Sequence, residues 1–269
     1  MKQLRIAVVL FVLSCLGVTS TFGAGSIKET NLKSVLSIGE QMSSLIDMLE
    51  IYSLIGLGVT YDTPVKKLKN SITAYDMMLI NLSSTYRDET MQKSIEKTRL
   101  SWRKIRRALY GVLVLTDRRT MKLNAVYINE KLRIAIRELN EMKDYLLKSS
   151  GIKNKNILDA AILMGVSSKR LSSNYMMKVW GVEDPSIDKY WKKNMETFSR
   201  SLEYLKESSF TKDKEFSKYL KTSLREFRYF SVVYTLQHKV PALVNRKAAI
   251  VTHSADNMIK TILLNQDTL

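Results

Sequence analysis

Disulfides are the first thing this chain does without. Its 269 residues hold a single cysteine, Cys15, placed in a leader-like segment, so stability must come from burial rather than from cross-links. Three prolines and ten glycines leave little room for turn-rich β architecture, while the Leu, Met, Lys and Glu content suits helices. His238 and His253 are the only histidines; with no cysteine partner and no nucleophile arranged beside them, they suggest neither a zinc set nor a catalytic triad. No Gly-rich phosphate loop and no paired-carboxylate constellation appears. Glu138, Glu141 and Asp144 share a helix amid Arg and Lys and read as surface pairs. The expectation is a protein that is not an enzyme, with no catalytic residue, no metal and no cofactor.

Long apolar runs are also scarce. Ile6 to Val18 is the one such stretch, preceded by Lys2 and Arg5 and followed by the small residues of Thr21-Phe22-Gly23-Ala24, the three-part pattern of a signal peptide. Residues 1–23 are read as that peptide, and the mature chain as a periplasmic protein secreted through the inner membrane. The run is shorter than the roughly 20 residues of a spanning helix, which weighs against a retained anchor. Val12-Leu13-Ser14-Cys15 is a poor lipoprotein box because a bulky Leu stands just ahead of the Ser, so lipid anchoring at Cys15 is the lesser alternative.

What the chain has in excess is positive charge. Lys and Arg number 43 against 26 acids, a formal net charge of +17. Removing Lys2 and Arg5 leaves 41 against 26, or +15. Such a balance favours anionic partners; an exported chain rarely meets nucleic acid, so small anions, acidic lipid head groups or acidic proteins are the candidates.

Laid over itself at an offset of 123 residues, the sequence matches Tyr52 with Tyr175, Leu57 with Trp180, Gly58-Val59 with Gly181-Val182, Tyr75 with Phe198, Leu79 with Leu202, Leu82 with Leu205 and Ala125 with Ala248. Apolar residues recur at steps of three and four within each copy. In the first copy the seams are Val35-Ile38-Met42-Leu45-Leu49-Tyr52; Val65-Leu68-Ile72-Tyr75-Leu79-Leu82; Met91-Ile95-Trp102-Ile105-Leu109-Val112, broken by Thr98; and Ala125-Ile128-Leu132-Ala135-Leu139-Met142. The second copy gives Trp191-Met195-Phe198-Leu202-Leu205; Phe216-Leu220-Leu224-Phe227; and Ala248-Val251-Ala255-Met258-Ile262. The expected fold class is all-α: two tandem four-helix bundles of about 123 residues each after the signal peptide, spanning residues 24–150 and 151–269. Asp62-Thr63-Pro64 and Asp184-Pro185 should start the second helix of each copy, Lys148-Ser149-Ser150-Gly151 should mark the boundary, and Pro241 should precede the last helix. Trp102, Trp180 and Trp191 fall on or beside the seams and are expected in the core.

The stretch from Met164 to Val182, with Ser168-Lys169-Arg170-Leu171-Ser172-Ser173-Asn174 at its centre, resembles the first helix of the N-terminal sensor domain of type IV pilus methyl-accepting chemotaxis transducers (PilJ-like), a family similar to helical nitrate/nitrite-sensing domains. Trp102-Arg103-Lys104-Ile105-Arg106 and Leu224-Arg225-Glu226-Phe227-Arg228 fit its third helix. Leu171-Ser172 keep the Leu-Ser of the family's Gln-Arg-Met-Leu-Ser-Gln-Arg-like motif. Lys169 stands for its first Arg, Arg170 for its Met, Ser168 for its first Gln and Asn174 for its last Arg. The first copy has Leu45-Ile46-Asp47-Met48-Leu49-Glu50-Ile51 there, with no cation. The resemblance implies a sensory module that binds a small anion such as nitrate or nitrite, and a homodimer joined through helix one. Relatives pass their signal to a cytoplasmic kinase-control module; a signal from this chain is expected to leave through a protein partner in the envelope.

Where the first copy has Met42, Leu45 and Leu49, the second has Gly165, Ser168 and Ser172. That exchange either opens a polar groove, in which Ser168, Lys169, Arg170, Ser172 and Asn174 could hold an anion, or merely lets two helices approach closely while Lys169 and Arg170 lie solvated. Arg103, Lys104, Arg106 and Arg107, with Arg118 and Arg119, form either a docking patch or a solvated helix face. The alternative to a sensor is an envelope scaffold or adaptor that holds an acidic protein or the membrane surface without a small ligand.

Overall fold

The computed structural model describes residues 24–59, 63–111, 117–149, 151–236 and 239–265. The expected signal peptide, Cys15, His238 and Val112 lie outside the described residues. Among the described residues there are eight α-helices and no strand: α1 (Ala24–Gly56), α2 (Pro64–Thr85), α3 (Glu89–Gly111), α4 (Arg118–Ser149), α5 (Lys155–Trp180), α6 (Ser186–Glu207), α7 (Lys214–Val233) and α8 (Pro241–Leu264). A short 3-10 turn, Ser209–Lys212, links α6 to α7. The protein is all-helical, and no described helix is long and apolar enough to cross a membrane.

The helices start and stop for local reasons. Pro64 and Pro241 occupy the first turns of α2 and α8, where their missing N–H is no loss. Asp213 caps α7 by accepting from the Phe216 N–H, and Asp184 accepts from the Ser186 N–H at the start of α6. Thr63, just ahead of α2, sits in the left-handed region (φ 47°) and makes no side-chain cap bond. At the end of α5, Gly181 (φ 74°) turns the chain as glycine does most easily, and its N–H returns to the last carbonyls of the helix.

Packing follows the seams. α1 lies against α2 and α4, α3 against α4 and α2; likewise α5 lies against α6 and α8, and α7 against α8 and α6. The first and fourth seams of the first copy and the last of the second are buried at every position named. Three seams differ from expectation, the α6 seam only in that Met195 is half-buried. Val65, in the first turn of α2, is 42% exposed. In α7 the buried line runs Phe216, Leu220, Ser223, Glu226, Phe230, Val233, leaving Leu224 and Phe227 half-buried beside it. Glu226 can take a core place because Arg225 and Lys247 meet its carboxylate at 2.9 and 2.8 Å. All three tryptophans are buried.

α1 and α5 join the two sets of helices. Their paired residues advance together: Gly39 faces Ile162, Asp47 meets Lys169, Glu50 meets Ser172 and Gly56 lies under Trp180. The helices therefore run parallel, with an offset of 122 to 124 residues along the whole contact. A Cβ on Gly56 would stand 2.0 Å from Trp180 Cζ2, so only glycine admits the indole there.

Candidate anion-binding site

α5 packs against α1, α6 and α8, which leaves it almost no solvent face. Each polar side chain on it must therefore find a partner or bear the cost of burial, about 1–3 kcal/mol for an unsatisfied group. At 100° per residue, the five candidate residues point in three directions.

Lys169 faces α1. Its Nζ lies 2.5 and 2.7 Å from the two oxygens of Asp47. Next to this pair Glu50 is buried and accepts from Ser172 Oγ at 3.1 Å and from the amide of Asn245 on α8. Burial first, and the neighbouring Asp47 second, push the Glu50 carboxyl up to about 8, with Lys169 opposing. Lys169 is thus already neutralised, and Ser172 is already spent on a carboxylate. Ser168 turns toward α8 and donates to the carbonyls of Gly165 (2.8 Å) and Ala248 (3.4 Å). A Cβ on Gly165 would lie 3.3 Å from Ala255 Cβ, so the small residues of this face serve the close approach of two helices.

Arg170 and Asn174, one turn apart, face the other way. They line a cavity of about 470 Å³ between α4, α5 and α6, together with Asn129, Arg133, Asn140 and Tyr190. Arg170 is 9% exposed and has no carboxylate within ion-pair distance among the described residues. Burial, then the nearby Arg133, bring its guanidinium down to about 10, so it stays charged at neutral pH. Asn174 Nδ2 is buried without an acceptor, and Asn140 Oδ1 without a donor. Arg133 is held in place by donating to Ser186 Oγ at 2.5 Å and by lying 4.3 Å over the Tyr190 ring.

The cavity persists because α4 is tied across it at both ends. Asn129 donates to Asp184 at 3.1 Å near the start of α6, and further along the fully buried Lys143 pairs with Asp159 of α5. An ion pair to α5 at one end, and amide and guanidinium bonds to the start of α6 at the other, tie α4 across the cavity. The pocket then presents a fixed positive charge and a free N–H donor to whatever enters, the arrangement that binds an oxyanion.

Of the five candidates, then, the structure brings Arg170 and Asn174 together and places Ser168, Lys169 and Ser172 on other faces with partners of their own. Sequence reading missed Arg133, Asn140, Asn129 and Tyr190. Asn129, Arg133 and Asn140 do form a polar stripe beside the α4 seam, but such a stripe reads the same as a solvated face until a second helix is known to cover it. Of the basic patch, Arg103 pairs with Glu96 and Arg106 with Asp76, Arg103, Lys104 and Arg107 line a groove with Leu100 and Tyr127, and Arg118 and Arg119 line a separate cleft beside Trp180. Among the described residues no group of three His, Cys, Asp or Glu stands close enough to hold a metal ion. Compared with protein-family models, with curated proteins and with solved structures, the chain matches none.

Proposed function

We propose that this chain is a periplasmic, non-catalytic sensory or ligand-binding module that recognises a small anion, nitrate or nitrite among the candidates, and signals through a partner protein in the envelope. On this reading residues 1–23 direct export, and residues 24–150 and 151–269 are two tandem four-helix PilJ-like units. Support for the duplication comes from the two tyrosines at the offset of 123: Tyr52 at the end of α1 donates to the Met121 carbonyl in the first turn of α4, and Tyr175 at the end of α5 accepts from the Val240 N–H just before α8. Both lock the end of a first helix to the start of a fourth.

The observation that carries the ligand reading is Arg170, a buried guanidinium facing an open cavity with no carboxylate within ion-pair distance among the described residues. An uncompensated buried charge costs several kcal/mol, and a bound anion removes that cost. Calorimetric titration of the purified protein with nitrate, nitrite, sulfate and phosphate tests it. At least one should bind, and Arg170→Met should weaken it by about 10- to 100-fold, the 1.5–3 kcal/mol of a charge-assisted hydrogen bond. The same substitution should raise the melting temperature of the ligand-free protein, which separates loss of the site from loss of the fold. If no anion gives heat with the folded protein, the ligand class is refuted.

The scaffold alternative draws on the α3–α4 groove, where Lys104 and Arg107 lie beside the exposed Leu100 and Tyr127. Salt-sensitive capture of one acidic partner, with no response to any small anion, would favour it.

A further inference from the structure

Resting on that reading, we infer that the α4–α5–α6 cavity selects a short organic dicarboxylate over monovalent ions of nitrate size. The first argument is room. A four-atom oxyanion fills little more than a water or two, about 30 Å³ each, whereas the cavity is about 470 Å³, within the usual range for small organic ligands of roughly 300–1,000 Å³.

The second argument is charge count and placement. Of the four cations that line the cavity, Arg137 of α4 and Lys193 of α6 are exposed, whereas Arg170 of α5 is buried and Arg133 of α4 half-buried, close enough that Arg133 disfavours the charge on Arg170. The acid lining the same cavity, Glu141, stands beside Arg137 at the surface, 3.9 Å away. A monoanion would compensate one guanidinium and leave the other. A dianion with its charges at two ends meets both.

The third argument is rigidity. Arg133 is fixed by Ser186 and Tyr190, and Arg170 by burial among α5 neighbours. Two fixed forks match two planar carboxylates, since guanidinium and carboxylate pair through two parallel hydrogen bonds. Asn174 Nδ2, on the turn next to Arg170, adds a neutral donor to the carboxylate at that end. Arg170 with Asn174 forms the anchoring end, and Arg133 the end that reads the second charge.

The test is calorimetry at constant ionic strength with succinate and malate against propionate and nitrate. The dicarboxylates should bind at least about tenfold tighter, the scale of one added charge-assisted contact. Arg133→Gln should abolish that preference, bringing succinate and malate down to the affinity the same variant shows for propionate. Arg133→Lys, which keeps the charge but loses the fork and supports the same packing, should retain only part of it. Propionate or nitrate binding that needs Arg170, with no dicarboxylate preference or with a preference unchanged in both Arg133 variants, overturns the inference and leaves the anion module standing. Absence of binding by all four probes overturns both.

Discussion

Lys169 and Arg170 are adjacent in the chain and have opposite fates. One residue is a 100° turn on a helix, enough to send Lys169 to Asp47 on α1 and Arg170 into a cavity where, among the described residues, no carboxylate lies within ion-pair distance of it. The sequence singled out this helix segment, because Gly165, Ser168 and Ser172 interrupt an apolar seam. It could not assign partners, because periodicity says which residues face inward and not which helix they face. Glu50 was equally illegible: a glutamate on a helix reads as surface until α5 and α8 close over it. Its raised value makes a pH prediction. The folded chain holds a proton on Glu50 that an unfolded glutamate, near 4.5, has already released, so stability from this group is full at the acid end and declines as pH rises from about 4.5 to about 8. Glu50→Gln keeps an acceptor for Ser172 and Asn245 but cannot ionise. Its melting temperature relative to the parent should rise between pH 5 and pH 8, by roughly 2–4 °C for each kcal/mol involved. A difference that stays flat over that range would show that Glu50 binds its proton no more tightly in the folded chain than in the unfolded one.

At the scale of the element, helices came through best where burial is purely apolar. α1, α4 and α8 bury the stripes their sequences display, because Leu, Ile, Met and Ala at steps of three and four have only one reasonable face. α7 departed where a charged residue holds a core position: with Arg225 and Lys247 supplying countercharge, Glu226 interrupts the apolar pattern while continuing the buried one. Thr98 is similar on α3, fully buried yet satisfied by donating to the Ser94 carbonyl at 3.2 Å. The α1–α5 contact depends on glycine in a way no periodicity displays. Gly56→Ala should force Trp180 out of its place and cost about 1–3 kcal/mol in denaturant unfolding, the usual penalty for overpacking. In a Trp180→Leu background the same change should cost much less. Equal costs in the two backgrounds would mean that the indole is not what the glycine accommodates.

For the whole molecule, the number of helices, their order and the break near Ser149 to Gly151 were all readable from spacing and breakers, whereas the parallel seating of α1 on α5 was not, since nothing local encodes contact at 122 to 124 residues. That seating predicts how the parts behave. Residues 24–150 and 151–269 produced separately each expose a face that the intact chain covers, including Gly39 and Gly56 in one and Ile162 and Trp180 in the other. Mixed together they should form a one-to-one complex by sedimentation; two well-behaved monomers that ignore each other would refute the seating. On the proposed duplication, a further consequence concerns who may pair with whom. In a symmetric pair of first halves, Asp47 would be offered Ile46; in a symmetric pair of second halves, Lys169 would be offered Arg170, cation against cation. The joint between α1 and α5 therefore rewards unlike halves and penalises like ones, so that fusing the halves in one polypeptide leaves each with its proper mate and gives a second copy of the protein little to compete for.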